Sequence, residues 1–350
     1  MNLNLEIISP VNIGNGEILS PLCDYISERK TFFLIDHRKL EAYLKHLDEP
    51  EKIVDRYVHI LNGKTHYNLS DFFKENGLDP VDFSLAVIND VNRINGEIKR
   101  TIKTGRGPYI PGSTLKGAIR TAIICHHMNQ EGYDFNKIMK EKRYIGQDYF
   151  GAYGNDVFKF LHCSDSLPFN ESDVDVVNTY LYYLNTRKTN TPVSVESIKK
   201  KAETEVKIQS KAKRGDQLSS KFNYFLEGGE EEILMTTNGF YSDLLENEKR
   251  ILQEKNPVLL TYLNGLFEEL QKLATHFNDN GNGAILKVGS GKTFYDNTIA
   301  AVLSEDDFSQ LKHKYHLGNT TFFPKTRTVV YRGNHPASVM GWIKLEKVKN

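Results

Sequence analysis

The sequence is poor in the residues that mark most specialised chemistries. Cysteine occurs only as Cys23, Cys125 and Cys163, far apart and with no CxxC pair. Neither a disulfide framework nor a cysteine metal cluster follows from that spacing, and a reducing compartment is expected. No run approaches the roughly eighteen apolar residues of a membrane span. The opening residues, MNLNLEIISP, lack a basic stretch followed by a long apolar run, so no secretory leader is expected and the cytoplasm is the expected location. Charge of one sign is missing as well. Lys+Arg and Asp+Glu are 45 each, so the formal net charge is zero and any contact with nucleic acid must come from local patches.

Catalytic and metal signatures are equally scarce. There is no GxSxG nucleophile elbow and no Cys/His signature. His126 and His127 are adjacent and lack a histidine or cysteine partner at i+4, and His162 and Cys163 are adjacent on an expected strand, so neither pair forms a metal site. Asp24, Asp36 and His37 lie near the first glycine turn and offer acid–base groups for RNA chemistry, but such residues are too common to carry that assignment alone.

What is present is a soluble core and three conspicuous stretches. Hydrophobic residues make up 39% of 350 residues, enough for real cores and, by length, about two domains. The first stretch is Gly105 to Ala122, GRGPYIPGSTLKGAIRTA. It reads as a rigid turn, a loop of small residues and a helix. Leu115, Ala118, Ile119, Ala122 and Ile123 form one apolar stripe, with Ser113 or Thr114 as the expected cap after Pro111 and Gly112. Lys116 and Arg120 lie four apart on the opposite face, with Lys103 and Arg106 just upstream. A helix N-terminus repels cations, so this arrangement suits a bound anion such as phosphate. A core helix with a basic outer face is the competing interpretation.

The second stretch is a late glycine loop, Leu286 to Thr293 (LKVGSGKT), after an expected strand and before a helix expected from about Asp296. It fails as a P-loop, because Leu286 stands where the first glycine belongs and no Walker B strand follows. Gly289, Ser290, Gly291 and Lys292 still suit a phosphate, as successive N–H groups in a glycine loop form an anion nest. The third is residues 187–214, where Arg187, Lys188, Lys199, Lys200, Lys201, Lys207, Lys211, Lys213 and Arg214 face only Glu196, Glu203 and Glu205. This reads as a basic arm with mobile flanks around a strand at Glu203 to Ile208, or as a solvated loop.

Between these landmarks the pattern is mixed. Leu3, Leu5 and Ile7 alternate as a strand, Gly14-Asn15-Gly16 reads as a hairpin turn, Thr31 to Asp36 as a strand and His37 to Leu47 as a helix. Residues 50–77 read as a local helical insertion, Glu97 to Lys103, Phe158 to Cys163 and Val174 to Leu184 as strands, and Tyr241 to Lys255 and Pro257 to Phe277 as structural helices. The acidic run Glu227 to Glu232 reads as a solvated turn. Strand, turn, strand, helix opens an α+β plait rather than a Rossmann unit. The division expected is 1–165 and 166–350.

ISPVNIGNGEILSP, then YIPGSTLKGAIRTA, then LKVGSGKT with FPKTR, resemble the repeat-associated (RAMP) proteins of CRISPR systems. Their order and spacing are most similar to the fifth-subunit branch of the type III-A Csm effector complexes. The resemblance implies an α+β protein of two ferredoxin-like (RRM-like) domains with helical insertions. It implies a non-catalytic, cofactor-free RNA-binding subunit that caps the filament near the 3′ part of the CRISPR guide RNA. The implied partners are that RNA, target RNA, the repeated third subunit and the small helical second subunit, with cellular nucleases recruited for guide 3′-end maturation. Gly14, Asn15 and Gly16 match the first turn, Ser113, Thr114, Lys116 and Arg120 the IPGS-loop helix, and Gly289, Ser290, Gly291 and Lys292 the late loop. Lys103, Arg106 and Arg327 complete the cations expected at RNA. Asn12 departs from the histidine frequent at its place, which argues against histidine chemistry at that turn. The guide-processing branch of the same superfamily supplies the alternative, a metal-independent endoribonuclease acting on repeat RNA.

Overall fold

Leu3, Leu5 and Ile7, none of them exposed, alternate with Asn2, Asn4 and Glu6 to make β1 (Asn2–Ile7). This strand lies at the centre of a five-stranded sheet. The computed structural model describes residues 1–47, 50–62, 68–89, 91, 94, 96–140, 146–151, 153–186, 189–214, 216, 218–318 and 323–348. After β1 the chain forms β2 (Gly14–Leu19) and then an inserted unit. That unit comprises β3 (Tyr25–Glu28), β4 (Thr31–Ile35), α1 (His37–Leu44), α2 (Pro50–Leu61), α3 (Leu69–Glu75) and β5 (Ser84–Ile88). Asp36 caps α1 by accepting from the Arg38 and Lys39 N–H groups, and a reciprocal Asn68–Asp71 capping box starts α3. The insertion has its own core, in which Leu40, Tyr57, Phe72 and Phe73 are buried.

The chain returns through β6 (Ile98–Thr101), the short ribbon β7 (Lys103–Thr104) and β8 (Gly107–Pro108), and α4 (Gly112–Glu131). The expected stripe of α4 is its core face, with Leu115, Ala118, Ile119, Ala122 and Ile123 all buried. Then come α5 (Phe135–Lys140), α6 (Gln147–Phe150), β9 (Leu161–Cys163), β10 (Val174–Tyr183), β11 (Val193–Ile198) and β12 (Glu203–Ser210). The C-terminal part adds α7 (Glu230–Lys255), α8 (Pro257–Asn280), β13 (Gly283–Lys287), α9 (Glu305–Lys314), β14 (Thr326–Arg332), β15 (His335–Val339) and β16 (Trp342–Lys347). No described helix is long and apolar enough to cross a membrane.

One sheet has the order β13-β16-β1-β12-β9 with every neighbouring pair antiparallel. The other has the order β15-β14-β10-β11-β6-β2 and contains one parallel pair, β11 with β6. The sheets do not follow the expected division at 165/166. β1 pairs with β12 and β16, and β6 pairs with β11, so both sheets take strands from either side of it. The main core joins the first sheet to α4, α7 and α8 through Tyr241, Phe267, Phe277 and Trp342.

Four expectations change. Val157–Phe160 is a 3₁₀ turn and the strand begins only at Leu161. The late loop leads into two 3₁₀ turns, Tyr295–Asn297 and Ile299–Ala301, and the helix starts at Glu305. The acidic run is no solvated turn: Glu230, Glu231 and Glu232 form the first turn of α7, where carboxylates suit the dipole, and buried Glu230 accepts the Ser210 N–H at 2.9 Å. The basic segment is largely no arm, because β11 is a sheet strand with Ser194–Ile198 buried and β12 lies inside the first sheet. Arg187 and Lys188 lie outside the described residues.

His127 on α4 is buried, 2.6 Å from the Tyr224 hydroxyl and 3.1 Å from Glu131. Burial holds its imidazole below the usual range, with Glu131 pulling the other way. The unfolded chain therefore takes up a proton near pH 6.5 that the folded chain resists, so stability should fall as pH drops from about 6.5 towards the lower folded value. Thermal unfolding at pH 7.5 and 5.5 checks this: wild type should lose more Tm between the two than His127→Gln, and equal losses would refute it.

Candidate nucleic-acid interface

Two glycine loops from opposite ends of the chain meet at Asn12. This residue is 2% exposed. Its Nδ2 donates to the Glu196 carbonyl at 2.8 Å, and its Oδ1 accepts from the Ser290 hydroxyl at 2.6 Å. The Ser290 N–H donates to the Asn12 carbonyl at 2.8 Å. Gly289 has φ +66°, and a Cβ there would lie 2.2 Å from that same carbonyl oxygen, so only glycine allows the late loop to seat on the first.

The first loop is not a hairpin turn. It is a widened bulge in β2, the edge strand of the six-stranded sheet. Gly14 pairs with Thr101 and Ile18 with Lys99, so Asn15, Gly16 and Glu17 stand opposite Arg100 alone. Asn15 Oδ1 accepts the Glu17 N–H at 2.9 Å. Gly16 has φ +89°, and a Cβ there would meet nothing within 4 Å, so the backbone is open to a ligand.

At α4 the expected side-chain cap is missing. Pro111 is the capping residue, and neither Ser113 nor Thr114 makes a cap bond. The Gly112 N–H donates instead to Asp165 Oδ1 at 2.8 Å. A carboxylate from the segment after β9 thus occupies part of the positive helix end. The close approach requires glycine at 112, since a Cβ there would lie 2.2 Å from the Cys163 carbonyl oxygen. Exposed Ser113 and half-buried Thr114 and Lys116 remain on the rim.

The expected cations divide into two groups. Lys103 is mostly buried between Glu171 and Glu196, at 3.4 and 3.5 Å. Arg120 forms a two-pronged bond to Asp156 at 2.7 and 3.2 Å and lies over the Phe150 and Phe158 rings. Arg327 is 3% exposed. It grips Glu248 at 2.6 and 2.8 Å and donates to the Pro324 and Thr326 carbonyls. Arg120 and Arg327 are therefore structural, and the expectation that they face RNA is corrected: long-range carboxylates that spacing does not reveal already hold them.

Exposed Arg106, half-buried Lys116 and half-buried Lys292 have no carboxylate within ion-pair distance among the described residues. Burial holds Lys292 below the usual lysine range, Asp296 opposes that, and Lys287 adds to it. Asp296 is committed elsewhere, to Lys287 Nζ at 2.9 Å and to the Thr293 N–H. Sequence reasoning missed Asn12 as the junction and Arg100, which binds Glu17 at 3.0 Å beside the bulge. Burial of a polar residue between two glycine loops has no periodic signal.

The acid–base candidates lie in the inserted unit. His37 reaches the Tyr57 hydroxyl with Nδ1 and Asp24 with Nε2 at 3.6 Å, while Asp36 is committed to its cap. Burial raises the Asp24 carboxyl, but hydrogen bonds from His37 and the Ser20 N–H outweigh it and hold the group below the usual range. Among the described residues no group of three or more His, Cys, Asp and Glu could hold a metal ion.

A profile of the RAMP superfamily matches residues 4–294. The chain is 27% identical over its whole length to a Methanocaldococcus jannaschii protein named CRISPR system Cms protein Csm5, covering 89% of that protein. It is 28% identical to a Streptococcus thermophilus protein of the same name over 69% of each chain. A chain in the cryo-EM structure of a Csm–crRNA–target RNA ternary complex from a type III-A CRISPR-Cas system superposes with a TM-score of 0.71 at 21% identity, covering 99% of this chain and all of that one. The crystal structure of T. onnurineus Csm5 gives 0.68 at 19% identity, covering 97% and 99%. At these identities the two structures establish the fold.

The division of the cations is testable without RNA. Arg120→Ala removes the two-pronged bond to Asp156 and the contacts with two rings and should destabilise by roughly 1–3 kcal/mol. Lys116→Ala should stay within about 0.5 kcal/mol of wild type. Urea unfolding midpoints compare the two, and equal effects would contradict the assignment.

Proposed function

The chain belongs to the RAMP superfamily, and we propose that it is a non-catalytic RNA-binding subunit of a type III-A CRISPR effector complex. In this proposal it caps the filament at the 3′ side of the guide RNA and supports guide 3′-end maturation and antiviral defence in the cytoplasm. Its neighbours are the repeated third subunit and the small second subunit, with target RNA in reach and host nucleases recruited to trim the guide. The relatives' names and the fold shared with a chain of an RNA-containing Csm complex support this reading.

The observation that carries it is the joined pair of loops. Asn12 holds the late loop on the first, and the rim carries Gly14–Gly16, Ser290, Gly291 and Lys292, with Lys116 and Arg106 as further cations with which no carboxylate pairs among the described residues. Open backbone with sparse, uncompensated cations suits a polymer of phosphates and does not select bases. The ferredoxin-like part of the reading finds support in one sheet. Along β16-β1-β12-β9 the strands follow the fourth, first, third, second order of that fold, α4 leads from the first to the second, and α7 and α8 lie on the later crossover. The six-stranded sheet, with its parallel β11–β6 pair, does not repeat the order.

Lys116→Ala with Lys292→Ala should weaken guide-RNA binding and lower the salt slope by roughly 0.7 per lost phosphate contact. Titration of labelled guide RNA at several salt concentrations measures both, and unchanged affinity would sink the phosphate assignment. For the capping role, guides copurified from cells lacking this chain should have altered 3′ ends, and unchanged ends would count against it. The endoribonuclease alternative draws on the His37–Asp24 contact. Metal-independent cleavage of repeat RNA, lost in His37→Ala, would favour it.

A further inference from the structure

The outward face of the five-stranded sheet is divided by charge. On β12 it presents Glu203 and Glu205, then Lys207 and Gln209, and Lys211 follows just past the strand end. Asn2 pairs with Lys207 and Asn4 with Glu205 across β1, so the polar rows run continuously over the sheet. Glu203 is engaged by Asn4 Nδ2 at 3.4 Å. At the basic end, β9 pairs His162 with Gln209, and the Lys211 N–H extends the ladder to the Phe160 carbonyl at 2.9 Å. Leu161 is buried between Phe160 and His162, which leaves the histidine exposed and the phenylalanine partly buried against the main core. Lys159 Nζ lies 5.0 Å from the centre of that ring.

We propose that this corner, formed by Lys207, Lys211, His162 and Phe160, is a second contact for single-stranded RNA, continuous with Lys116 around the edge strand β9. The inference rests on the RNA-binding reading above and extends it to a surface outside the glycine loops. A partly accessible ring at the edge of an open sheet, flanked by cations and amides, is the chemistry that stacks an unpaired base and holds the adjoining phosphates. Lys116 links the two surfaces. The carbonyl of Cys163 abuts the first turn of α4, and after burial it is Lys211 and then Lys116 that disfavour a proton on His162. The carboxylates at the other end of β12 confine the strand to the corner.

Fluorescence anisotropy of a labelled oligouridine with the full chain tests this at several salt concentrations. Lys207→Ala with Lys211→Ala should weaken binding at least fivefold and lower the salt slope by roughly 1.4, about 0.7 for each phosphate contact. Phe160→Leu, which keeps an apolar side chain over the core, should weaken binding by about tenfold while leaving the slope unchanged, as loss of stacking does. Unfolding midpoints equal to wild type verify that each variant is folded. Wild-type affinity and slope in the lysine variant, with binding lost in Lys116→Ala/Lys292→Ala, would overturn the corner and keep the loop reading. Unchanged binding in both sets would overturn both. Intact RNA binding in the corner variants with loss of a copurifying subunit would also overturn the inference, and would make the corner a protein contact.

Discussion

Asn12 is the residue on which the arrangement depends. One buried amide and its own carbonyl tie together positions 12, 196 and 290, which come from three distant parts of the chain. Each bond contributes only about 0.5–1.5 kcal/mol net, but a buried donor or acceptor left without its partner costs about 1–3 kcal/mol. The junction is therefore close to all-or-none. It also dictates chemistry around it: the Asn12 carbonyl occupies the space of a Cβ at 289, so glycine there is a requirement of contact as much as of backbone angle. A histidine ring at position 12 would be far larger than the amide that now donates and accepts at once.

Beneath the late loop the interior is ionic rather than oily. Lys287 and Asp296 pair at 2.9 Å, and Arg327 and Glu248 pair at 2.6 Å, with Trp342 beside Lys287. Together with the loop they line a cavity of about 20 Å³, room for roughly one water. Buried pairs of this kind add little net stability, but removing one partner strands a charge. They fix where the loop can lie. The same logic separates structural from available cations at α4, where Arg120 is held by Asp156 and two rings while Lys116, one turn earlier, is not.

Local periodicity made part of this legible in the sequence. The stripe on α4 follows from a 3.6-residue period and lies as the spacing requires. The strand at Glu203 was equally readable, as Val206 and Ile208 alternate inward. The glycines at 14, 16, 289 and 291 stood out as special, yet their roles did not. Whether Gly14–Gly16 turns or bulges depends on β6, more than eighty residues away. Arg327 looked like a loop cation because Glu248, its partner, lies on a helix far upstream. The basic run was only partly legible for a related reason: β11 and β12 belong to different sheets, so the segment is divided, while Lys207 and Lys211 stay together at one end of β12.

Zero net charge then becomes informative about the site. With cations and anions equal in number, most described cations near the loops are neutralised in place, and those that are not stand out. Lys292 is the sharpest case. Burial weakens its hold on a proton, and the carboxylate best placed to compensate, Asp296, already serves Lys287 and the Thr293 N–H. A phosphate on the loop would supply negative charge that favours the Lys292 ammonium, as Asp296 does. This unshared charge supports the proposed phosphate contact more than the presence of lysine in a glycine loop does.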